Sequence, residues 1–420
     1  MAGIERSRRA YLKTTAALGA AGLTGLSGCV GDLSGGDGGN NSPIQMGTIL
    51  PITGALSAYG EGMQGAANLA AEHVNDAGGP LGREIEVTNK DSETKPDKAN
   101  QKYKTLVDEQ DIVGFVGAAS SGVSVPLAQN VAADQVMQVS NASTTPALAE
   151  IGYEGDTKYF GRTSPNDGQQ GIVMGQILSD DEYVGADSAA FLYVNNPYGE
   201  GLAEKASEAF EGETTALVGY DKKSSDYTST LDKLYEDDPD AVGFVGYPGN
   251  GRTILKQWSD GGYGGEWVLS EGLNSEEFLT DLSDITAGMY VASPDPEDTE
   301  GSQEFEEKIG EANTLFAAHA YDALFLQALA MEAAGEASGT AIAENIRSVS
   351  REGETVTVGE FERARELLAN DEDINYQGAS SPVDLNESLE PLNQFAILQV
   401  SGGSTESKET ISRDFFEGKL

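Results

Sequence analysis

From Ile44 onward the chain alternates short apolar runs with amphipathic stretches, the pattern of parallel strands covered by helices. Ile44–Leu50 reads as a strand. Met63, Ala67, Ala70 and Val74 then fall at i, i+4, i+7 and i+11, a helical stripe closed by Gly78-Gly79-Pro80. Glu84–Asn89 predicts a strand, and Pro96–Glu109 a helix with Ala99, Tyr103, Leu106 and Val107 inward. Ile112–Val116, Val136–Val139, Ala189–Val194, Ala241–Val245 and Trp267–Leu269 extend the strand series, with helical segments between them. Late in the chain His319–Ala334 is a strongly apolar helix, followed by a strand at Phe395–Val400 and a polar tail over 402–420. The cycle runs once before and once after Phe160–Ser164. The expected fold class is therefore α/β, with two doubly wound, Rossmann-like parallel-sheet lobes. Pattern alone leaves open how often the chain crosses between them.

The segment before Ile44 follows another logic. Ser7-Arg8-Arg9-Ala10-Tyr11-Leu12-Lys13 precedes a soft run from Thr14 to Leu26, which ends at Leu26-Ser27-Gly28-Cys29. A run this short cannot span about 30 Å of hydrocarbon as a helix. A basic stretch before a short apolar one marks a secretory signal, and the adjacent arginines resemble a twin-arginine signal. The ending resembles a lipobox. Residues 1–28 are thus expected to be removed, with Arg8 and Arg9 as export determinants and Cys29 as the lipidated first residue. Residues 29–43, rich in Gly, Ser and Asp, have the composition of a flexible tether. The expected location is the outer face of the cell membrane.

Composition narrows the function. The 420 residues carry 69 Asp plus Glu against 26 Lys plus Arg, a net charge of -43. A nucleic-acid binder needs a basic footprint, and this chain has the opposite. The acidity is spread over every helical segment, as in proteins of salt-loving microbes, where counterions screen self-repulsion. One Cys excludes a disulfide framework, and two widely separated His leave little for a zinc site. No metal or cofactor is expected.

Ligands of open parallel sheets bind beyond the carboxyl ends of the strands. In the first cycle those positions hold Thr53-Gly54-Ala55-Leu56-Ser57-Ala58-Tyr59-Gly60, Gly117-Ala118-Ala119-Ser120-Ser121-Gly122 and Ser140-Asn141-Ala142-Ser143-Thr144-Thr145. In the second they hold Asn195-Asn196-Pro197-Tyr198-Gly199-Glu200, Gly246-Tyr247-Pro248 and Ser270-Glu271-Gly272. Hydroxyls at helix starts suit a carboxylate. A glutamate suits an ammonium, and tyrosine rings suit an apolar side chain. Together the two sets describe a zwitterionic amino acid held in a cleft.

Over Ile44 to about Val400 the chain resembles the branched-chain amino-acid branch of the ABC-transporter solute-binding proteins, which have the type I periplasmic-binding-protein fold. The resemblance rests on the order of Thr53-Gly54 … Tyr59-Gly60, Ala77-Gly78-Gly79, Tyr198-Gly199-Glu200-Gly201 and Ser270-Glu271-Gly272. It implies a hinge of three crossing segments, placed near Arg162–Ser164, Tyr290–Ser293 and Ser381–Asp384. The N-terminal lobe would then comprise 44–162 and 293–382, and the C-terminal lobe 163–292 and 383–401. It further implies that Ser121 and Thr144 bind the ligand α-carboxylate and that the Ala142 carbonyl accepts from the α-ammonium, which Glu271 neutralises. Tyr59, Tyr198 and Tyr247 would line the cleft. Gly122 and Val123 stand where relatives often carry hydroxyls, and Ser143 makes its loop more polar. The implied partners are an amino-acid ligand and the permease subunits of an importer, with the receptor a monomer.

The residues leave three other readings. The same receptor could take a small amide or urea. A secreted α/β hydrolase would need a nucleophile elbow or a His at a strand end, and the sequence offers neither. A sensor domain on this fold would need a signalling segment.

Overall fold

The structure, a computed structural model, describes residues 42–310 and 313–419; Arg8, Arg9 and Cys29 lie outside the described residues. Ile44–Leu50 forms a strand with the bounds read from its apolar run and sits inside a five-stranded sheet. Across that sheet the order is Ile85–Asp91, Ile44–Leu50, Gly114–Gly117, Met137–Ser140 and Phe160–Arg162, every pair parallel. Helices Ser57–Asp76, Pro96–Gln110 and Ser121–Asp134 connect the strands. Helix Ala317–Ala334, buried along nearly its whole length, packs against Ser57–Asp76. That burial on all sides explains why it reads as apolar all round.

The second sheet has seven strands. Its order is Ser404–Ile411, Phe395–Ser401, Tyr290–Pro294, Glu266–Ser270, Ala241–Val245, Ser188–Val194 and Glu213–Tyr220. The first two pairings are antiparallel and the rest parallel. Central strands of both sheets are buried on both faces, so their sequences are continuous apolar runs without alternation.

Three passages join the lobes, and two fall elsewhere than the sequence suggests. The first follows Arg162 and enters helix Asp167–Ser179, which packs on the second sheet. Tyr290–Pro294 is a strand of that sheet, so the second passage begins only after Pro294. Residues 384–390 remain tied to the first lobe. Arg351 Nη1 donates to the Leu385 carbonyl at 2.8 Å, Lys158 Nζ to Ser388 O at 2.8 Å, and Arg162 N–H to Leu389 O at 2.9 Å. The third passage therefore follows Glu390.

Of the stretch 402–420, expected as a polar tail, residues 402–419 are part of the fold. Ser404–Ile411 forms the edge strand, and Phe416 is buried against Phe395. Backbone pairing rather than side-chain burial holds this strand, so its polar sequence conceals it. Among the described residues no helix is long and apolar enough to cross a membrane.

Candidate functional site

Two glycines set up the site. A Cβ at Gly60 would stand 2.2 Å from Pro51 O, and one at Gly199 would stand 2.0 Å from Val194 O. Only glycine lets the first turn of each helix sit so close to the strand end before it. The residue ahead of each glycine is a tyrosine, and this approach carries Tyr59 and Tyr198 to the space between the lobes. Asn196 caps the second helix, its side-chain oxygen accepting from Gly199 N–H at 2.9 Å.

Tyr59, Ser121, Ala142, Tyr198, Tyr247 and Glu271 line one cavity between the lobes, joined by Met63 and Phe316. Its volume is about 20 Å³, room for roughly one water. Anything larger requires the walls to part. Polar contacts across the gap hold them together: the Tyr59 hydroxyl donates to Gly272 O at 3.2 Å, and Ser120 Oγ lies 3.1 Å from the Tyr247 hydroxyl. The Tyr198 and Tyr247 rings stack at 5.5 Å and 8°, forming a flat wall. Burial pushes the Tyr247 phenol up to about 12, so it stays neutral.

Thr144 does not line the cavity. It lies behind Ser121, whose Oγ accepts from the Thr144 N–H at 3.1 Å and the Thr145 N–H at 3.2 Å. The amide expected to reach a ligand thus orients the serine that does line the cavity.

Glu271 is fully buried, and burial raises its pKa above the ordinary 4.5. Hydrogen bonds oppose this: one oxygen accepts from Gln170 Nε2 and, at 2.8 Å, from the Tyr198 hydroxyl. Asp167, also fully buried, is raised further by burial and then by the charge of Glu271. The neighbouring Thr144 hydroxyl and the charge of Arg162 oppose this rise. Two carboxylates close together in a buried site favour a cationic group beside them.

Asp167 and Gln170 went unread in the sequence. They stand in the first turn of helix Asp167–Ser179 rather than at a strand end. The available clue was an Asp and two Gln in the first turn of a helix that is otherwise mostly small or apolar. Phe316, from the turn entering Ala317–Ala334, also lay outside the strand-end rule.

Arg162 fixes the surrounding loops. Its guanidinium pairs with Glu390, and Nη1 donates to Ser143 O at 3.1 Å and Thr145 O at 3.0 Å. One buried cation thus ties the first passage, the Ser140–Thr145 loop and the approach to the third.

Known proteins share this arrangement. Residues 43–367 match the family model described as periplasmic binding protein. The chemotactic signal transduction system substrate-binding protein BasB of Halobacterium salinarum is 34% identical over 379 residues, covering 89% of this chain and 91% of that protein. The leucine-, isoleucine-, valine-, threonine- and alanine-binding protein of Pseudomonas aeruginosa is 26% identical, covering 75% and 85%. Among solved structures, the leucine-binding protein LivK of Thermotoga maritima superposes with a TM-score of 0.75 at 21% identity, covering 88% of this chain and 99% of that one. LivJ of Streptococcus pneumoniae, in complex with isoleucine, gives 0.73 at 23%, covering 88% and 100%. With two parallel-sheet lobes around a buried tyrosine- and glutamate-lined cleft, the chain belongs to the periplasmic binding protein family, in its leucine/isoleucine/valine-binding-protein-like branch with the type I fold.

Proposed function

We propose that the protein is an extracytoplasmic, lipid-anchored receptor that captures a branched-chain amino acid between its lobes and delivers it to the permease of an ABC importer. The observation that carries this is the buried Glu271, supported by Gln170 and Tyr198 and facing a cavity walled by Tyr59, Met63, Tyr247 and Phe316. A carboxylate in that position stabilises an ammonium. The apolar wall gains about 1.5–3 kcal/mol from an aliphatic side chain. A charged side chain buried there without a partner costs several kcal/mol. Ser121 and the Ala142 carbonyl complete the zwitterion's contacts, with Thr144 supporting Ser121. A small amide or urea would leave Glu271 without a counter-charge.

Export by Arg8-Arg9 and anchoring at Cys29 follow from their order in the sequence and agree with a family that works outside the cytoplasm. The likeness to BasB favours a second reading of the output, in which the loaded receptor reports to a chemotaxis transducer in the same membrane. A thermal-shift panel of the twenty amino acids, urea and short amides in molar KCl tests the ligand. Leucine, isoleucine and valine should raise the melting temperature most. Stabilisation by charged amino acids without any by leucine would overturn the assignment.

A further inference from the structure

Beside the ligand cavity lies a second one of about 270 Å³, also built from both lobes. Leu315, Phe316 and His319 come from the first lobe, Asp295 from the second passage, and Asn274 and Leu398 from the second lobe. An apolar cavity of about 150 Å³ accommodates benzene, so this space takes a small organic molecule. Leu315 and Phe316 line both cavities and are the partition between them. Phe316 has φ 62°, a conformation that a bulky residue keeps only when its surroundings hold it. Asn141 Nδ2 donates to its carbonyl at 3.3 Å, and its ring meets His319 edge-on at 5.1 Å.

His319 is the group the ligand site leaves unused. It is buried, and among the described residues neither ring nitrogen has a hydrogen-bond partner. Burial depresses its pKa to about 3, so the imidazole is neutral, with one donor and one acceptor nitrogen. Among the described residues, Asp295 is the wall's only carboxylate and no Lys or Arg lines the cavity. An anion is therefore disfavoured. A molecule with an N–H donor and a short hydrocarbon matches the imidazole, the carboxylate and the faces of Leu315, Phe316 and Leu398.

We infer that this cavity is a second, inter-lobe binding site for a small amphiphilic monoamine, held as its ammonium between Asp295 and His319. Because both lobes contribute walls, an occupant favours the closed form and tightens the first ligand, which tightens the occupant equally. The site stands apart from the reading of Glu271; only the coupling rests on it.

The chain has two His, so ¹⁵N-histidine labelling gives a spectrum of two rings, with His73 as internal control. Titration with n-butylammonium should shift the His319 signals saturably and leave His73 unmoved. Butan-1-ol should act more weakly, and butyrate not at all. Because n-butylammonium also suits the Glu271 cavity and competes there equally in the parent and in Asp295→Asn, the coupling is read against that variant. At saturating n-butylammonium the parent should hold isoleucine about fivefold more tightly than Asp295→Asn, the low end of typical coupling. Leu398→Trp, filling the space, and Asp295→Asn, removing the charge, should each suppress the His319 response while retaining isoleucine binding. An absent His319 response, or one equally strong for butyrate, would overturn the site. A His319 response with equal isoleucine affinity in the parent and Asp295→Asn would overturn the coupling. If isoleucine fails to bind at all, the His319 titration still decides the site.

Discussion

Replacing Glu271 by Gln separates the binding role of its charge from its cost to the fold. In the structure this carboxylate is buried near Asp167, and two side-chain donors support it, Gln170 and Tyr198. Its folded pKa lies above the ordinary 4.5, so the native state holds a proton more readily than the unfolded chain does. At neutral pH the ionised form therefore weighs against folding, and that cost fades as pH falls below the ordinary value. Glutamine keeps the shape and an acceptor oxygen while removing the charge. Melting temperature at pH 7 should stay level or rise, and the difference from the parent should vanish near pH 4. Affinity for isoleucine should move the other way. Loss of a hydrogen bond to a charged group costs about 1.5–3 kcal/mol. At about 1.4 kcal/mol per tenfold, that is roughly a 10- to 150-fold weaker Kd. Calorimetric titration and thermal unfolding of the same preparation give both numbers. An affinity within twofold of the parent would refute the assigned role, and a fall in both quantities would show that the carboxylate is structural.

Four further outcomes follow from named contacts. Arg162→Met leaves Glu390 buried without its cation and should lower stability by about 3–5 kcal/mol in denaturant titration. Asp322 accepts from the Tyr376 hydroxyl, the Ala379 and Ser380 N–H groups and the Ser380 hydroxyl, and burial still raises it to about 6 from 3.8. Because the raised pKa means that the folded state binds the extra proton, its contribution to stability declines as pH rises from 3.8 to 6 and is flat above. The difference in unfolding free energy between parent and Asp322→Asn should carry that slope, and a difference independent of pH would contradict it. Cys29→Ala should release the protein from membranes, read by fractionation, whereas Arg8→Lys with Arg9→Lys should retain it inside the cell. The closed cavity of about 20 Å³ admits a ligand only from an open form, so the ligand-free protein in solution should populate that form. Scattering should then show a smaller radius of gyration at saturating isoleucine, and an unchanged radius would contradict closure.

What the sequence made legible was whatever is buried periodically. Ala241–Val245, with every residue buried, has the bounds its apolar run suggests. Helix Ser57–Asp76 carries its stripe of Met63, Ala67, Ala70 and Val74 inward. Elements held by backbone pairing stayed hidden: Ser404–Ile411 exposes most of its side chains, and Glu213–Tyr220 alternates only at its end. Tyr290–Ser293, where the resemblance places a hinge crossing, lies instead within the strand Tyr290–Pro294 of the second sheet. At the site, the strand-end rule located six of the cavity's walls. It missed Phe316, a wall that depends on how the two lobes meet, and it missed Asp167 and Gln170, which stand beside Glu271 in the first turn of a helix rather than at a strand end.

The account stands or falls on whether the cleft recognises an ammonium beside an aliphatic chain. Calorimetric titration with L-isoleucine and, in parallel, with 3-methylpentanoate, the same molecule without its amino group, tests this directly. Isoleucine should bind saturably with one site per chain, and 3-methylpentanoate at least tenfold more weakly, the loss expected when a buried charge goes unpaired. Equal affinity for the two would contradict the role given to Glu271 and, with it, the reading of this cleft as an amino-acid site.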